Sequence, residues 1–391
     1  MTLDLKRHYS RFLAARPDVL HFAAHSHHPW PDVTRDAVTA AWDDAARLAD
    51  HKWEHVLGEV VPRAQAHVAR TLGLSRPGQI AFAPTVHELF FRVLSCFPPG
   101  RTVRVLSTDG EFYSFARQSA RLEESGEVAV TRVPTEPFDT FDARFLEAAA
   151  AGAHDLVYLS HVFFNSGFAV ADLSAVVRAV RSPETIVMVD GYHAFMALPV
   201  DLGALEDRVF YTAGGYKYAQ AGEGACFLHV PAGSTLRPRH TGWFARFGRL
   251  TAAQTGGVEY PDDAYRFWGA TFDPTGIYRL NAVMGWLQAE GIGVADIHAH
   301  VRVLQRRFLE MLPALGALPL DALVTSPDLV RQGHFLTFRV PEAAAFAEAL
   351  RARGVDVDFR ADRVRFGFGL YQTPDDVDRL GERLRRLSGD R

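Results

Sequence analysis

The chain reads as an α/β protein, a mostly parallel seven-stranded sheet covered by helices and followed by a smaller α+β C-terminal domain. Three observations predict this. Seven short apolar runs fall at 80–82, 103–106, 128–130, 156–159, 186–189, 209–211 and 225–228, most of them separated by helix-length stretches. The runs are apolar on both faces, which marks strands buried between layers of helices. Beyond a long helical stretch, the C-terminal part changes to a strand–helix–strand pattern.

Each element has a local reason. In 36–52, Ala37, Ala40, Ala41, Ala45 and Leu48 recur at three- and four-residue steps, predicting an amphipathic helix preceded by Pro31 and capped near Thr34. A second helix is expected at 60–72. After the seventh run, 278–315 carries a long helical pattern broken near Gly291-Ile292-Gly293. Strands at 333–340 and 364–369 then surround a helix at 342–353, and the Ala-rich patches at 148–151 and 343–348 read as helix filler. The expected division is an N-terminal segment 1–40 packing with the small domain, a large ligand-binding domain 41–280, and a bridging helix with the small domain at 281–391.

With 391 residues, 48% hydrophobic and 23% charged, the chain can bury one large core or two that share an interface. The formal net charge is −4 and Lys and Arg are scattered, so no basic stripe points to nucleic acid. A small-molecule partner fits better. Cys96 and Cys226 are the only cysteines, each inside an apolar stretch, which argues against a disulfide framework and a cysteine-based zinc site and for a reducing compartment. No run reaches the roughly 18 apolar residues of a membrane span. The expectation is a soluble cytoplasmic protein.

The most informative residues are Lys217, in Gly214-Gly215-Tyr216-Lys217-Tyr218, and Asp190, which ends the apolar run 186–189. Together they suggest pyridoxal phosphate. That aldehyde cofactor needs a lysine amine to hold it covalently and a carboxylate against its ring nitrogen. Taken singly, a surface lysine in a glycine turn and an Asp capping a helix are the plain alternatives.

In an open α/β sheet, ligands bind beyond the carboxyl ends of the strands, and polar or aromatic residues gather there. Thr85 follows the first run, able to cap the next helix or to meet a phosphate at its start. Phe112, in Gly110-Glu111-Phe112-Tyr113, is placed to stack on a pyridine ring. Asn165 lies in the polar turn 160–167, and His193 lies about one helical turn beyond Asp190.

Asp190-Gly191-Tyr192-His193, then Gly215-Tyr216-Lys217-Tyr218, then Gly222-Glu223-Gly224-Ala225, resembles the class V, fold-type I pyridoxal-phosphate enzymes, and within them the kynureninases. The resemblance covers most of the chain. The loop 21–31 looks like the family's N-terminal loop, Gly242-Trp243-Phe244 is similar to its Gly-Trp-Trp segment, and 364–371 is similar to the segment holding its carboxylate-binding arginine.

The resemblance implies Lys217 as the covalent lysine, Asp190 as the ring-nitrogen partner, and His193 beside the ring. It implies Thr85, Val86 and Tyr216 at the phosphate, Tyr216 also as a proton relay, and Phe112 as the stacking ring. Arg365 becomes the bidentate clamp on an α-carboxylate; a strand residue facing water is the alternative for it. His27, His28, Trp243 and Asn165 are implied on the substrate side. The segment 268–274 resembles the loop that crosses to a neighbouring subunit, implying a C2 homodimer with Thr271 at the partner's site.

This sequence also departs from the family. His25, His27 and His28 stand where the relatives carry Asn and small residues, and Phe244 replaces an aromatic partner. Three readings of the histidines remain open: substrate or proton contacts, a solvated loop, or a metal site, although no supporting ligand spacing accompanies them. The cofactor shell therefore matches better than the substrate shell.

The expected activity is hydrolytic Cβ–Cγ cleavage of a kynurenine-type amino acid or a related reaction on a different substrate. A class V aminotransferase, a β-lyase or a racemase would use the same residues. A cysteine desulfurase is disfavoured because neither cysteine lies in a Gly/Ser-rich loop. A non-catalytic binding protein would have lost Lys217 or Asp190.

Overall fold

The computed structural model describes residues 3–246 and 257–389. Twelve strands are present among them: β1 Leu20–His21, β2 Ile80–Ala83, β3 Val103–Thr108, β4 Val128–Val133, β5 Leu156–Ser160, β6 Ile186–Asp190, β7 Val209–Gly214, β8 Cys226–His229, β9 Phe335–Arg339, β10 Val355–Asp356, β11 Asp358–Arg360 and β12 Arg363–Gly367. All seven apolar runs are strands of one sheet, in the order β2-β8-β7-β6-β5-β3-β4. β3, β4, β5, β6 and β7 are mutually parallel. β8 pairs antiparallel with both β7 and β2, so it alone runs against the rest.

The parallel arrangement brings one end of every strand to a common edge. Ser160 is opposite Asp190, and Asp190 is opposite Thr212. Gly214 at the end of β7 and Ala83 at the end of β2 both pair with Cys226, where β8 begins. The segments after β2, β3, β5, β6 and β7 therefore converge on one cleft, as expected for an open α/β sheet.

Helices cover the sheet because most of its strands are apolar on both faces; β2, β5, β7 and β8 are buried at every position. Burial of such side chains contributes about 1.5–3 kcal/mol each. A first core surrounds the large sheet. A second, including Leu304, Phe308, Phe338, Phe366 and Leu380, lies under the three-stranded antiparallel sheet β11-β12-β9. The N-terminal segment touches both: Tyr9 and Ala24 belong to the first core and Phe22 to the second, while β1 pairs in parallel with β10.

The helix expected at 36–52 runs from Val33 to Leu48. It stops early because Ala49 adopts φ 46°, a left-handed conformation that breaks the hydrogen-bond ladder. Thr34 does not cap it. Its hydroxyl lies within the first turn and donates to the Pro31 carbonyl at 2.8 Å. The long helical pattern is two helices, Thr275–Ala289 and Val294–Met311, separated at Gly291 with φ 69°. No described helix is long and apolar enough to cross a membrane.

Candidate active site

Lys217 lies in the turn after β7 and is buried, with its amine inside a cavity of about 240 Å³. Three aromatic rings surround that amine. Nζ is 4.8 Å from the centre of Tyr192, 5.4 Å from Phe112 and 5.5 Å from Tyr216. Gly214 makes this approach possible: a Cβ there would fall 2.3 Å from the Tyr192 hydroxyl. The nearest polar neighbour is His193, whose Nε2 is 2.9 Å from Nζ.

Burial is the main influence on Lys217, with Asp190 opposing it and Arg365 reinforcing it, and the amine is pushed down to about 7. His193 is held well below its usual range, first by burial and then by Lys217 and Arg365, so it is a neutral imidazole. The unprotonated amine is the nucleophilic form. The rate at which cofactor-free protein captures the aldehyde, followed by absorbance, should therefore rise with pH and level off above a midpoint near 7. An unperturbed lysine would place that midpoint near ~10. The shift also makes cofactor-free protein gain stability from pH 7 toward ~10, where only the unfolded chain holds the proton.

Asp190 ends β6 at the opposite wall. Its Oδ1 accepts from the Tyr192 amide at 2.9 Å and its Oδ2 from the Tyr158 hydroxyl at 3.1 Å. Burial raises its carboxyl, while those two bonds and Lys217 oppose the rise. A cation in the cavity would complete its pairing, which is what a protonated ring nitrogen supplies. Behind it Glu111 is buried and accepts from the Ser160 amide at 3.1 Å, the Ser160 hydroxyl at 2.5 Å and the Thr108 hydroxyl at 2.7 Å. Burial pushes Glu111 up to about 7, with Asp190 adding to the effect.

At the far end, Thr85 caps the helix Val86–Leu94, its side chain accepting from the Glu88 amide at 3.1 Å. Thr85, Val86, His87 and Gly224 line this end, beside a helix start suited to an anion. The Val86 amide is engaged by the Cys226 sulfur. Phe112 and Tyr216 also line the cavity, and burial pushes the Tyr216 phenol up to about 12, leaving it a neutral donor.

Residues anticipated around the cofactor thus converge: Lys217, Asp190, His193, Tyr216, Thr85, Val86 and Phe112 all line one cavity. His193 reaches it from a tight turn, with the Phe195 amide on the Gly191 carbonyl, rather than from a helix. The residues anticipated on the substrate side do not line it. Arg365 is buried behind Phe164, donating Nη1 to the Phe164 carbonyl and Nη2 to Asp358. Asn165 uses its carbonyl to accept from Arg363 at 3.2 Å.

His28 packs among Tyr9, Tyr218 and Tyr371, and His27 is half-exposed near Glu223. Trp243 is 38% exposed and donates Nε1 to the exposed Thr271 at 3.0 Å. Tyr158, Tyr192 and Phe164, which line the cavity, and Glu111 behind Asp190 were missed as site residues. Period-two alternation along β5, which sets Tyr158 and Ser160 on one face beside Asp190, was the signal for two of these contacts.

A buried lysine whose amine is pushed down to about 7, facing a carboxylate across an aromatic slot with a helix start at one end, defines a site for an aldehyde cofactor that carries a basic ring nitrogen and an anionic tail. Comparison with known proteins agrees. The Aminotransferase class-V family pattern matches residues 40–380, and the chain belongs to that family. It is a pyridoxal-phosphate-dependent enzyme of the class that acts on amino acids.

The chain is 27% identical to isopenicillin N epimerase of Streptomyces clavuligerus, with 96% of each sequence covered. It is 28% identical to the kynureninase of Burkholderia pseudomallei strain 1106a, covering 79% of this chain and 74% of that one. Among solved structures it is similar to a cysteine desulfurase from Thermococcus onnurineus NA1, with a TM-score of 0.83 at 17% identity over the whole of both chains. A cystine C–S lyase matches with a TM-score of 0.81 at 18% identity, covering 95% of this chain and 99% of that one. These last two establish the shared fold.

Proposed function

We propose that the chain removes and returns the α-proton of an amino acid, kynureninase-like in its overall plan but acting on a different side chain. The observation carrying this reading is the buried Lys217 amine 2.9 Å from the neutral His193 ring, in the cavity that Asp190 closes. Bound pyridoxal phosphate supplies the sink for the electrons left at Cα. Lys217 is the base, His193 relays or retains its proton, and Tyr216 donates at the phosphate end. Asp190 pairs with the ring nitrogen, Phe112 covers the ring face, and Arg365 attracts the α-carboxylate.

Removal of the Cα proton is the step common to hydrolytic cleavage, transamination, elimination and epimerisation. The similarity to an isopenicillin N epimerase across 96% of both chains favours epimerisation as the second reading. A desulfurase-type persulfide is disfavoured. Burial pushes Cys96 up to about 12 and Cys226 up to about 11, so neither thiol is a ready nucleophile.

Assembly as a homodimer belongs to the same proposal. Exposed Thr271, tied to Trp243, is available to the phosphate end of a second copy rather than to its own cavity.

The test is to incubate purified protein with both enantiomers of a panel of amino acids in deuterated water. Deuterium should enter Cα of at least one of them, accompanied by a change in the cofactor's absorption, and the active species should sediment as a dimer. Release of alanine and anthranilate from L-kynurenine would establish the narrow kynureninase activity, and our expectation is that it stays at background. Absence of exchange with every amino acid would overturn the reading, and an active monomer would remove the role given to Thr271.

A further inference from the structure

His25 is 1% exposed, yet neither of its ring nitrogens has a hydrogen-bond partner. Such a group forfeits its hydration without replacement, so its position calls for an explanation. Its neighbours suggest one. The ring stacks on Phe335 with centres 4.6 Å apart and planes 20° apart, which fixes its orientation. Nδ1 lies against Gly367, where a Cβ would come within 2.3 Å of it. Nε2 faces Asp358, whose Oδ2 is 3.8 Å away, beyond hydrogen-bond reach.

Arg365 shares the same small space and is similarly incomplete. Its Nη1 donates to the Phe164 carbonyl and its Nη2 to Asp358, but its Nε is buried with no partner. Asp358 also accepts from Arg360, so two guanidinium groups face one carboxylate. Burial, reinforced by Arg365, His193 and Lys217, keeps His25 neutral. The cluster therefore carries one uncompensated positive charge. The catalytic groups are adjacent: His193 donates to the His25 carbonyl and lies 5.4 Å from the Phe335 ring, while the Arg365 guanidinium lies 5.9 Å from the ring of Phe164, a cavity residue.

We propose that His25 and the free Nε of Arg365 bind one carboxylate together, with Asp358 holding the guanidinium in place, so that His25 is a specificity residue for the α-carboxylate of the substrate. A carboxylate has two oxygens and accepts best from two donors held apart at a fixed geometry. It would balance the charge of the cluster and satisfy both orphaned donors. Asp358 is the positioning residue, and Arg360 is the cation that keeps Asp358 from neutralising Arg365. The proposal rests on the amino-acid reading above. It reassigns the altered N-terminal loop's part in substrate recognition from His27 and His28 to His25.

The test uses the purified holoenzyme and compares L-alanine and D-alanine with ethylamine, their decarboxylated counterpart. Binding is read from the change in the cofactor's absorption. His25→Phe keeps the stacking on Phe335 and removes both nitrogens. It should weaken the better-bound alanine enantiomer by about tenfold or more, the scale of one hydrogen bond to a charged group. The response to ethylamine and the spectrum of the resting enzyme should remain unchanged. His25→Asn restores a donor and should recover part of the alanine affinity.

Unchanged alanine binding in His25→Phe overturns the proposal. So does equal weakening of alanine and ethylamine, which would mean a general disturbance of the site. If the unmodified holoenzyme responds to none of the three and to no amino acid of the wider panel, the amino-acid reading itself fails, and that outcome is distinguishable because it appears before any residue is changed.

Discussion

Lys217→Ala is expected to abolish covalent capture of pyridoxal phosphate and to lower turnover by about four orders of magnitude. Two losses combine at one atom. The amine that attacks the aldehyde disappears, and so does the base at Cα, whose removal alone is worth roughly 10²–10⁴-fold. The fold should survive, because among the described residues the Lys217 amine hydrogen-bonds only with His193, and deleting a buried amine removes a desolvation penalty along with the side chain. Borohydride reduction followed by peptide mass analysis checks the chemistry, and circular dichroism checks the fold. A reduced adduct on another lysine in the variant would refute the assignment.

Asp190→Ala should produce the next largest effect. Its carboxylate accepts from the Tyr192 amide and the Tyr158 hydroxyl, and it lies where a ring nitrogen would be protonated. Removing one partner of a desolvated, hydrogen-bonded charge pair costs about 2–5 kcal/mol, which corresponds to roughly 30- to 3,000-fold weaker cofactor binding. Turnover should fall as well, since an unprotonated pyridine is a poor electron sink. Asp190→Asn separates charge from hydrogen bonding, because the amide can still accept from Tyr158 but cannot stabilise a cation as strongly. Equilibrium titration with pyridoxal phosphate measures both variants. Wild-type affinity and turnover in Asp190→Ala would remove the ring-nitrogen role.

Much of the fold was legible because it rests on local pattern. The runs from 80–82 to 225–228 are mostly apolar and rich in β-branched and aromatic residues, and each became a strand within a few residues of its expected limits. Short strands were less visible: β1, β10 and β11 have two or three residues, too few to show a period. Thr34 was misjudged as a cap for a related reason. A threonine near Pro signals a helix start, but which backbone group its hydroxyl reaches depends on where the first turn begins.

The site divides along the same line. Lys217, Asp190, His193, Phe112 and Thr85 follow directly on strand ends, and a parallel sheet sends all such ends to one edge, so their meeting was implied by sequence order. Asp358 faces Arg365 across the local pairing of β11 with β12, whereas His25 comes from the far end of the chain and joins them only through the bridge from Ala23 to Gly367. No local spacing encodes that encounter. His28 and His27 were singled out through the resemblance of the N-terminal loop, and the packing of Tyr9, Tyr218 and Tyr371 around His28 removed it from the cavity wall.

By itself, then, the sequence determined the layered α/β class, the strand positions along the chain, and the lysine and aspartate that meet in one cavity, because each depends on short-range periodicity and on residues at strand ends. Tertiary structure alone decided that Lys217 is pushed down to about 7, that Glu111 lies behind Asp190, and that Arg365 is shared between Asp358 and an unfilled donor position beside His25. The physical reason is that desolvation and charge pairing are properties of the enclosed space, and that space exists only after segments far apart in sequence have packed together.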